Sequence, residues 1–166
     1  DSENSSNISI KNLYIRDANN TGSVGMRIGG STKFIHNISL EHVITQSFDT
    51  GFLFERVYGI TTNLVVSRTA RQYGYHFTPQ SGALTLSTFT STGAYTTGKD
   101  PQGQPIDGAE GIGFFIERNI TYSSFDQCYA DTGKTGIKMT GYTGNRNLFN
   151  RFGIAGASDY GVYIDN

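Results

Sequence analysis

Apolar residues recur along the chain in short alternating runs, and the runs themselves recur. Gly followed by apolar, any residue, apolar occurs as Gly25-Met26-Arg27-Ile28, Gly51-Phe52-Leu53-Phe54, Gly74-Tyr75-His76-Phe77, Gly113-Phe114-Phe115-Ile116, Gly136-Ile137-Lys138-Met139 and Gly161-Val162-Tyr163-Ile164. These glycines are 26, 23, 39, 23 and 25 residues apart. A second alternating run precedes each one, at Asn7-Ile8, Asn37-Ile38, Asn63-Leu64, Ala83-Leu84, Asn119-Ile120 and Asn147-Leu148. A vaguer apolar patch lies between the two, at Leu13, Val43, Phe89 and Phe125. Alternation with period two places one face of a strand inward, and no stretch carries a helical period. Short strands repeating about every 25 residues predict a parallel β-helix, a solenoid of about six rungs in which each strand pairs with its equivalent one rung away. The twelve apolar residues of the glycine motif should then be buried in two columns. The preceding asparagines suit the left-handed corners between strands and can stack along the axis.

The long interval contains the polar segment Ala94–Gly111, AYTTGKDPQGQPIDGAEG, with two of the three prolines and no alternation. It reads as a loop insertion at about 94–111 in a single domain spanning 1–166. Composition agrees with an all-β chain: 21 Gly, many Ser, Thr and Asn, 10 Tyr and 11 Phe, no Trp. Only 16% of residues are charged and the net charge is −1, so no basic stripe for nucleic acid is present. One cysteine excludes a disulfide framework within the chain. The three histidines lack metal-ligand spacing, and no cofactor motif is found. No apolar run is long enough to insert into a membrane as a helix. With no initiator Met and no capping segment at either end, the chain reads as a fragment of a longer protein.

The paired Asn and Gly motifs resemble those of the right-handed, pectin-lyase-like β-helices. Within that group they are most similar to the central domains of bacteriophage tailspikes and tail fibres. The resemblance covers about residues 7–165 and implies a homotrimer in the virion tail, or an extracellular protein, whose partner is a bacterial surface polysaccharide that it binds and often depolymerises. The Asp-Asp pair, Gly-His-Gly and Arg-Ile-Lys runs of pectin-cleaving relatives are lacking. A non-catalytic trimeric fibre shaft and a secreted polysaccharide lyase or hydrolase are the alternatives.

Candidate chemistry follows from register. Two residues after each glycine, the outward column reads Arg27, Leu53, His76, Phe115, Lys138, Tyr163; four after, it reads Gly29, Glu55, Thr78, Glu117, Thr140, Asp165. Glu55 and Glu117 lie two rungs apart, roughly 9.6 Å at ~4.8 Å per rung, near the wide edge of the ~6.5–9.5 Å that inverting glycosidases use. Glu55, Glu117 and His76 are therefore the candidate catalytic residues, with Phe115, Tyr163, Arg27 and the insertion's Asp107 as candidate substrate-binding residues. The plainer alternative is that Glu55-Arg56 and Glu117-Arg118 are repeated, solvated ion pairs at a strand end. Leu53, Phe115, Tyr163, Val65 and Phe149 read as an outward apolar stripe, covered either by sugar or by a neighbouring subunit.

Overall fold

The computed structural model describes residues 7–19, 21–29, 34–78, 84–85, 87–99, 102–104, 111–117, 120–141 and 146–165. Among these the chain is all-β, and every strand pairing is parallel. The glycine motifs form a six-stranded sheet in the order Val24–Gly29, Thr50–Glu55, Tyr73–Phe77, Ile112–Glu117, Thr135–Thr140, Tyr160–Asp165. The remaining strands form a larger, curled sheet with two limbs, joined through the long strand Ile35–Gln46. Its first half pairs with Val57–Asn63 and its second with Val66–Ala70. Each strand thus lies beside its equivalent one repeat away, an arrangement compatible with a β-helix or solenoid.

The two sheets face one another across the core. Phe52, Tyr75 and Phe114 stack ring on ring along the glycine sheet, 5.1 and 4.7 Å apart and 8° from parallel. Opposite them Phe89, Phe125 and Phe149 stack at 4.8 Å. The two stacks meet edge-on, as in Phe54 against Phe89 at 86° and Phe114 against Phe125 at 89°. Ring spacing therefore copies strand spacing, and the edge-to-face contact suits the ring quadrupoles. The buried Tyr75 hydroxyl is satisfied by the Val65 carbonyl at 2.8 Å.

Glycine is required where the sheets come closest. A Cβ on Gly25, Gly51, Gly74, Gly113 or Gly136 would come within 2.6–2.8 Å of the carbonyl oxygen of the next glycine in the column. On Gly74 and Gly113 it would also strike the Cβ of Ala94 or Ala130 on the facing limb, at 2.6 and 2.8 Å. The bend between the two limbs is equally regular. Asn12, His42, Leu64, Ser91, Gln127 and Arg151 occupy equivalent positions in successive repeats and all have φ between 49° and 54°. A second left-handed column holds Asn37, Gly59, Tyr122 and Arg146.

Several expectations need correction. Of the twelve motif residues, Val162 and Ile164 are exposed, at 52% and 64%, because their repeat has a neighbour on one side only, while Met26 and Met139 are partly buried. Among the described residues the asparagines do not form one stacked column: Asn63 sits beside Glu41 and Thr90, and Asn147 spends its amide on the Ile120 carbonyl and the Ser123 N–H, while Asn119 lies outside the described residues. Val65 and Phe149 are not outward. Leu64 adopts φ 54° and turns the chain, so Val65 points into the core; Phe149 shares the inward register of Phe89 and Phe125. Phe89 and Phe125 in turn align with Leu40 and Thr62 rather than with Val43. The insertion starts later than its composition implies, since Gly93–Thr96 is a strand paired on both sides. Its base is pinched where Gly98 meets Gly111, both with positive φ.

Two outcomes follow. Gly113→Ala should lower the unfolding free energy by roughly 1–3 kcal/mol through overpacking, whereas Gly161→Ala, whose Cβ would meet only Ile154 at 4.0 Å, should change it by less than about 0.5 kcal/mol; urea midpoints compare the two. Burial pushes the Cys128 thiol up from its ordinary 9.0 to about 11. The folded chain holds that proton after the unfolded chain has lost it, so this contribution is intact below pH 9.0 and lost towards about 11. The urea midpoint should fall across that window, and less steeply in Cys128→Ala; Tyr75, raised well above its ordinary value by burial, supplies part of the remaining slope.

Candidate outer face of the glycine sheet

The outward columns of the glycine sheet have the predicted register. Arg27, Leu53, His76, Phe115, Lys138 and Tyr163 pair in turn across the six strands. Beside them, Glu55 pairs with Gly29, and Glu117, Thr140 and Asp165 follow one another. Strand alternation fixes both columns, because the residues between them carry the aromatic core.

The charges on this face are arranged on one diagonal. Glu55 Oε2 lies 2.6 Å from Nε of Arg27 on the preceding strand, and Glu117 Oε2 lies 2.7 Å from Nε2 of His76, again on the preceding strand. The same diagonal relates Asp165 to Lys138. The Glu55 and Glu117 side chains are 14% and 28% exposed, so both are partly shielded yet reachable. An imidazole in contact with a carboxylate can accept or pass a proton, which is the elementary requirement of acid–base chemistry. Glu55 is instead held by a guanidinium, an arrangement suited to a fixed negative charge. Thr78, just past the end of the intervening strand Tyr73–Phe77, is buried, with its hydroxyl and N–H directed to the Phe54 carbonyl.

Phe115 points outward but is covered. Its ring stacks on His76 at 5.0 Å and on Tyr73 at 5.2 Å, and Lys138 Nζ lies 5.3 Å from its centroid. Only 8% of the residue remains exposed. The aromatic surface that is open lies further along, where the rings of Tyr160 and Tyr163 are 5.1 Å apart. They line a groove of about 410 Å³ together with Lys134, Lys138, Asp159 and Asp165. The structure thus joins Arg27 to Glu55 and His76 to Glu117 and Phe115, and sets Tyr163 in the groove. Asp107 lies outside the described residues. Tyr73 and Tyr160 were missed by the column reading; the signal was an aromatic residue immediately before the motif glycine.

Elsewhere, Asp49 holds the buried Arg71 at 2.6 Å, and the Arg71 guanidinium also donates to the Ser47 and Gly22 carbonyls. This is a strut across three repeats, not an open site. At Asp126, the Arg151 guanidinium keeps the carboxyl below the usual range, and the Asn150 amide adds to it.

Phe115→Ala should destabilise the chain by roughly 3 kcal/mol, as for a packed ring, whereas removing a ring standing in water costs under about 0.5 kcal/mol; chemical denaturation separates the two values. Comparison with protein families, with characterised proteins and with solved structures finds no match to this chain.

Proposed function

We propose that the chain is a right-handed parallel β-helix of the pectin-lyase-like kind, part of a trimeric bacteriophage tailspike or tail fibre that binds a bacterial surface polysaccharide and cleaves its glycosidic bonds. The observation that carries the binding half is the open Tyr160–Tyr163 groove, with its two lysines and two aspartates, at one end of an outward ladder six strands long. Sugar rings bury their apolar faces on tyrosine, and the surrounding charges meet hydroxyl or acidic groups. The parallel sheets and the resemblance in the Asn and Gly motifs support the fold assignment. Because Phe115 is covered, the role of stacking on sugar passes to Tyr160 and Tyr163.

Cleavage is assigned to Glu117 and Glu55. Glu117, in contact with His76, serves as the group that exchanges a proton; Glu55, two repeats away and fixed by Arg27, serves as the second carboxylate. Their spacing, roughly 9.6 Å at ~4.8 Å per strand, leaves room for the attacking water of an inverting reaction. The second reading is the non-catalytic shaft, favoured by one observation: both glutamates are already engaged, Glu55 by the Arg27 guanidinium and Glu117 by the His76 imidazole, as structural pairs are.

The experiment is incubation with a panel of bacterial surface polysaccharides, followed by size-exclusion chromatography of the products. The expected result is shortening of one polysaccharide by the wild-type chain, reduced about a hundredfold or more in Glu55→Gln and Glu117→Gln, with circular dichroism unchanged. Tyr160→Ala/Tyr163→Ala should weaken binding about tenfold, equivalent to ~1.4 kcal/mol. Full cleavage in both Gln variants would end the assignment of the glutamates. Binding without cleavage by any variant would establish the shaft.

A further inference from the structure

The second limb of the larger sheet has an outer face that the reading above leaves unused. Tyr14, Ile44 and Val66 stand in register on three successive repeats, and Arg16, Gln46 and Arg68 form the neighbouring outward column. The Tyr14 hydroxyl donates to Oε1 of Gln46, which leaves the Gln46 amide N–H groups for another partner. A groove of about 370 Å³ opens here, lined by Gln46, Val66, Arg68, Thr69 and Tyr95, a size in the range of small-ligand sites, ~300–1,000 Å³. Tyr95 is 40% exposed and lies 6.0 Å, ring to ring, from Tyr129.

What distinguishes this face, among the described residues, is positive charge without a paired acid. Arg27, Arg71 and Arg151 are each held by a carboxylate. Arg16 and Arg68 are both exposed, and among the described residues no carboxylate pairs with either. Asp17, the nearest acid in sequence to Arg16, has its carboxylate turned onto the backbone N–H groups of Asn19, Thr21 and Gly22. Asp131 lies beyond Tyr95, in register with it on the next strand. Two guanidiniums with no carboxylate partner among the described residues, roughly 9.6 Å apart across two repeats at ~4.8 Å each, therefore flank a hydrogen-bond donor beside an apolar floor and an aromatic wall.

We propose that this groove binds an acidic saccharide. Arg68 holds a carboxylate or other acidic group through its planar fork of donors. Tyr95 and Val66 take the sugar ring, Gln46 donates to a hydroxyl, and Arg16 receives the acidic group of a neighbouring sugar. The choice of a saccharide over another polyanion rests on the carbohydrate reading above; the site itself is on a different sheet.

The test uses the intact chain and a fluorescent short oligoglucuronate, with its carboxyl-reduced neutral counterpart and polyglutamate as competitors. The expected result is binding that weakens steeply with salt and by about tenfold or more in Arg16→Gln/Arg68→Gln, weakens in Tyr95→Ala, and is unchanged in Arg151→Gln, whose arginine is paired with Asp126; in Tyr160→Ala/Tyr163→Ala an arginine-dependent component of the binding remains. The neutral counterpart should compete poorly, and so should polyglutamate. Wild-type affinity in the double arginine variant, or equal competition by the neutral sugar, overturns the inference. Equal competition by polyglutamate overturns its saccharide part. Loss of binding only in the Tyr160/Tyr163 variant overturns it while leaving the carbohydrate reading intact; arginine-dependent binding, with a Tyr160–Tyr163 groove inert to every polysaccharide, does the reverse. A change of sedimenting mass in the arginine variant would mark the face as a contact between copies of the chain and also overturn the proposal.

Discussion

The structure depends on how closely its two sheets approach along the column of motif glycines. There the backbone of one sheet lies so near the facing limb and the next repeat that a single added carbon would strike a carbonyl oxygen at 2.6–2.8 Å from Gly25, Gly51, Gly74, Gly113 and Gly136. Beside that line the space between the sheets is filled by rings. Phe52, Tyr75 and Phe114 fill one wall, and Phe89, Phe125 and Phe149 the other. Where the facing residues are small, as at Ser67, Ala94 and Ala130, size is the selected property. Among the described residues the buried hydroxyls of Thr45, Ser67 and Thr132, which lie against motif glycines, have no hydrogen-bond partner, and each side chain is compact enough to let the sheets meet.

A core made of stacked repeats leaves the outer columns to electrostatics. On the glycine sheet Glu55 leans back to Arg27 and Glu117 to His76, each on the preceding strand, so these carboxylates are engaged pair by pair. Such partly exposed pairs contribute little to stability, about 0–1 kcal/mol each. Their larger effect is positional, since each carboxylate is held at a defined height along the sheet. On the second limb the same regular spacing holds Arg16 and Arg68, with which no carboxylate among the described residues pairs. The two outer faces therefore differ in kind, one paired and one poised, although one backbone geometry generates both.

The parts of this arrangement that were legible in the sequence are those where the backbone demands a particular residue. A glycine where no Cβ fits, followed by alternating large apolar residues, is visible as text, and from it the outward columns and the placing of His76 beside Glu117 follow; the diagonal from Glu55 to Arg27, rather than to the adjacent Arg56, does not. The larger sheet was less legible because its bends demand a conformation rather than a residue. Asn12, His42, Leu64, Ser91, Gln127 and Arg151 share φ near 50° and nothing else, so the asparagines drew attention to the wrong alignment and Val65 and Phe149 were placed outside. The covering of Phe115 was hidden for a different reason: it needs Tyr73, whose ring belongs to the strand before, and alternation along one strand says nothing about contacts across two. Tyr160, at the equivalent place, escaped notice in the same way.

The left-handed bend column has a consequence for how this surface can vary. Each of its six residues bears a left-handed backbone of modest energetic cost, about 1 kcal/mol, and the fold asks nothing further of the side chain. An asparagine, a histidine, a leucine, a serine, a glutamine and an arginine all meet that demand. The ridge therefore works as a ruled margin: positions are set at strand spacing while the characters written there are free. Drift in sequence along that margin can change what the molecule presents to its surroundings without disturbing a single ring in the interior.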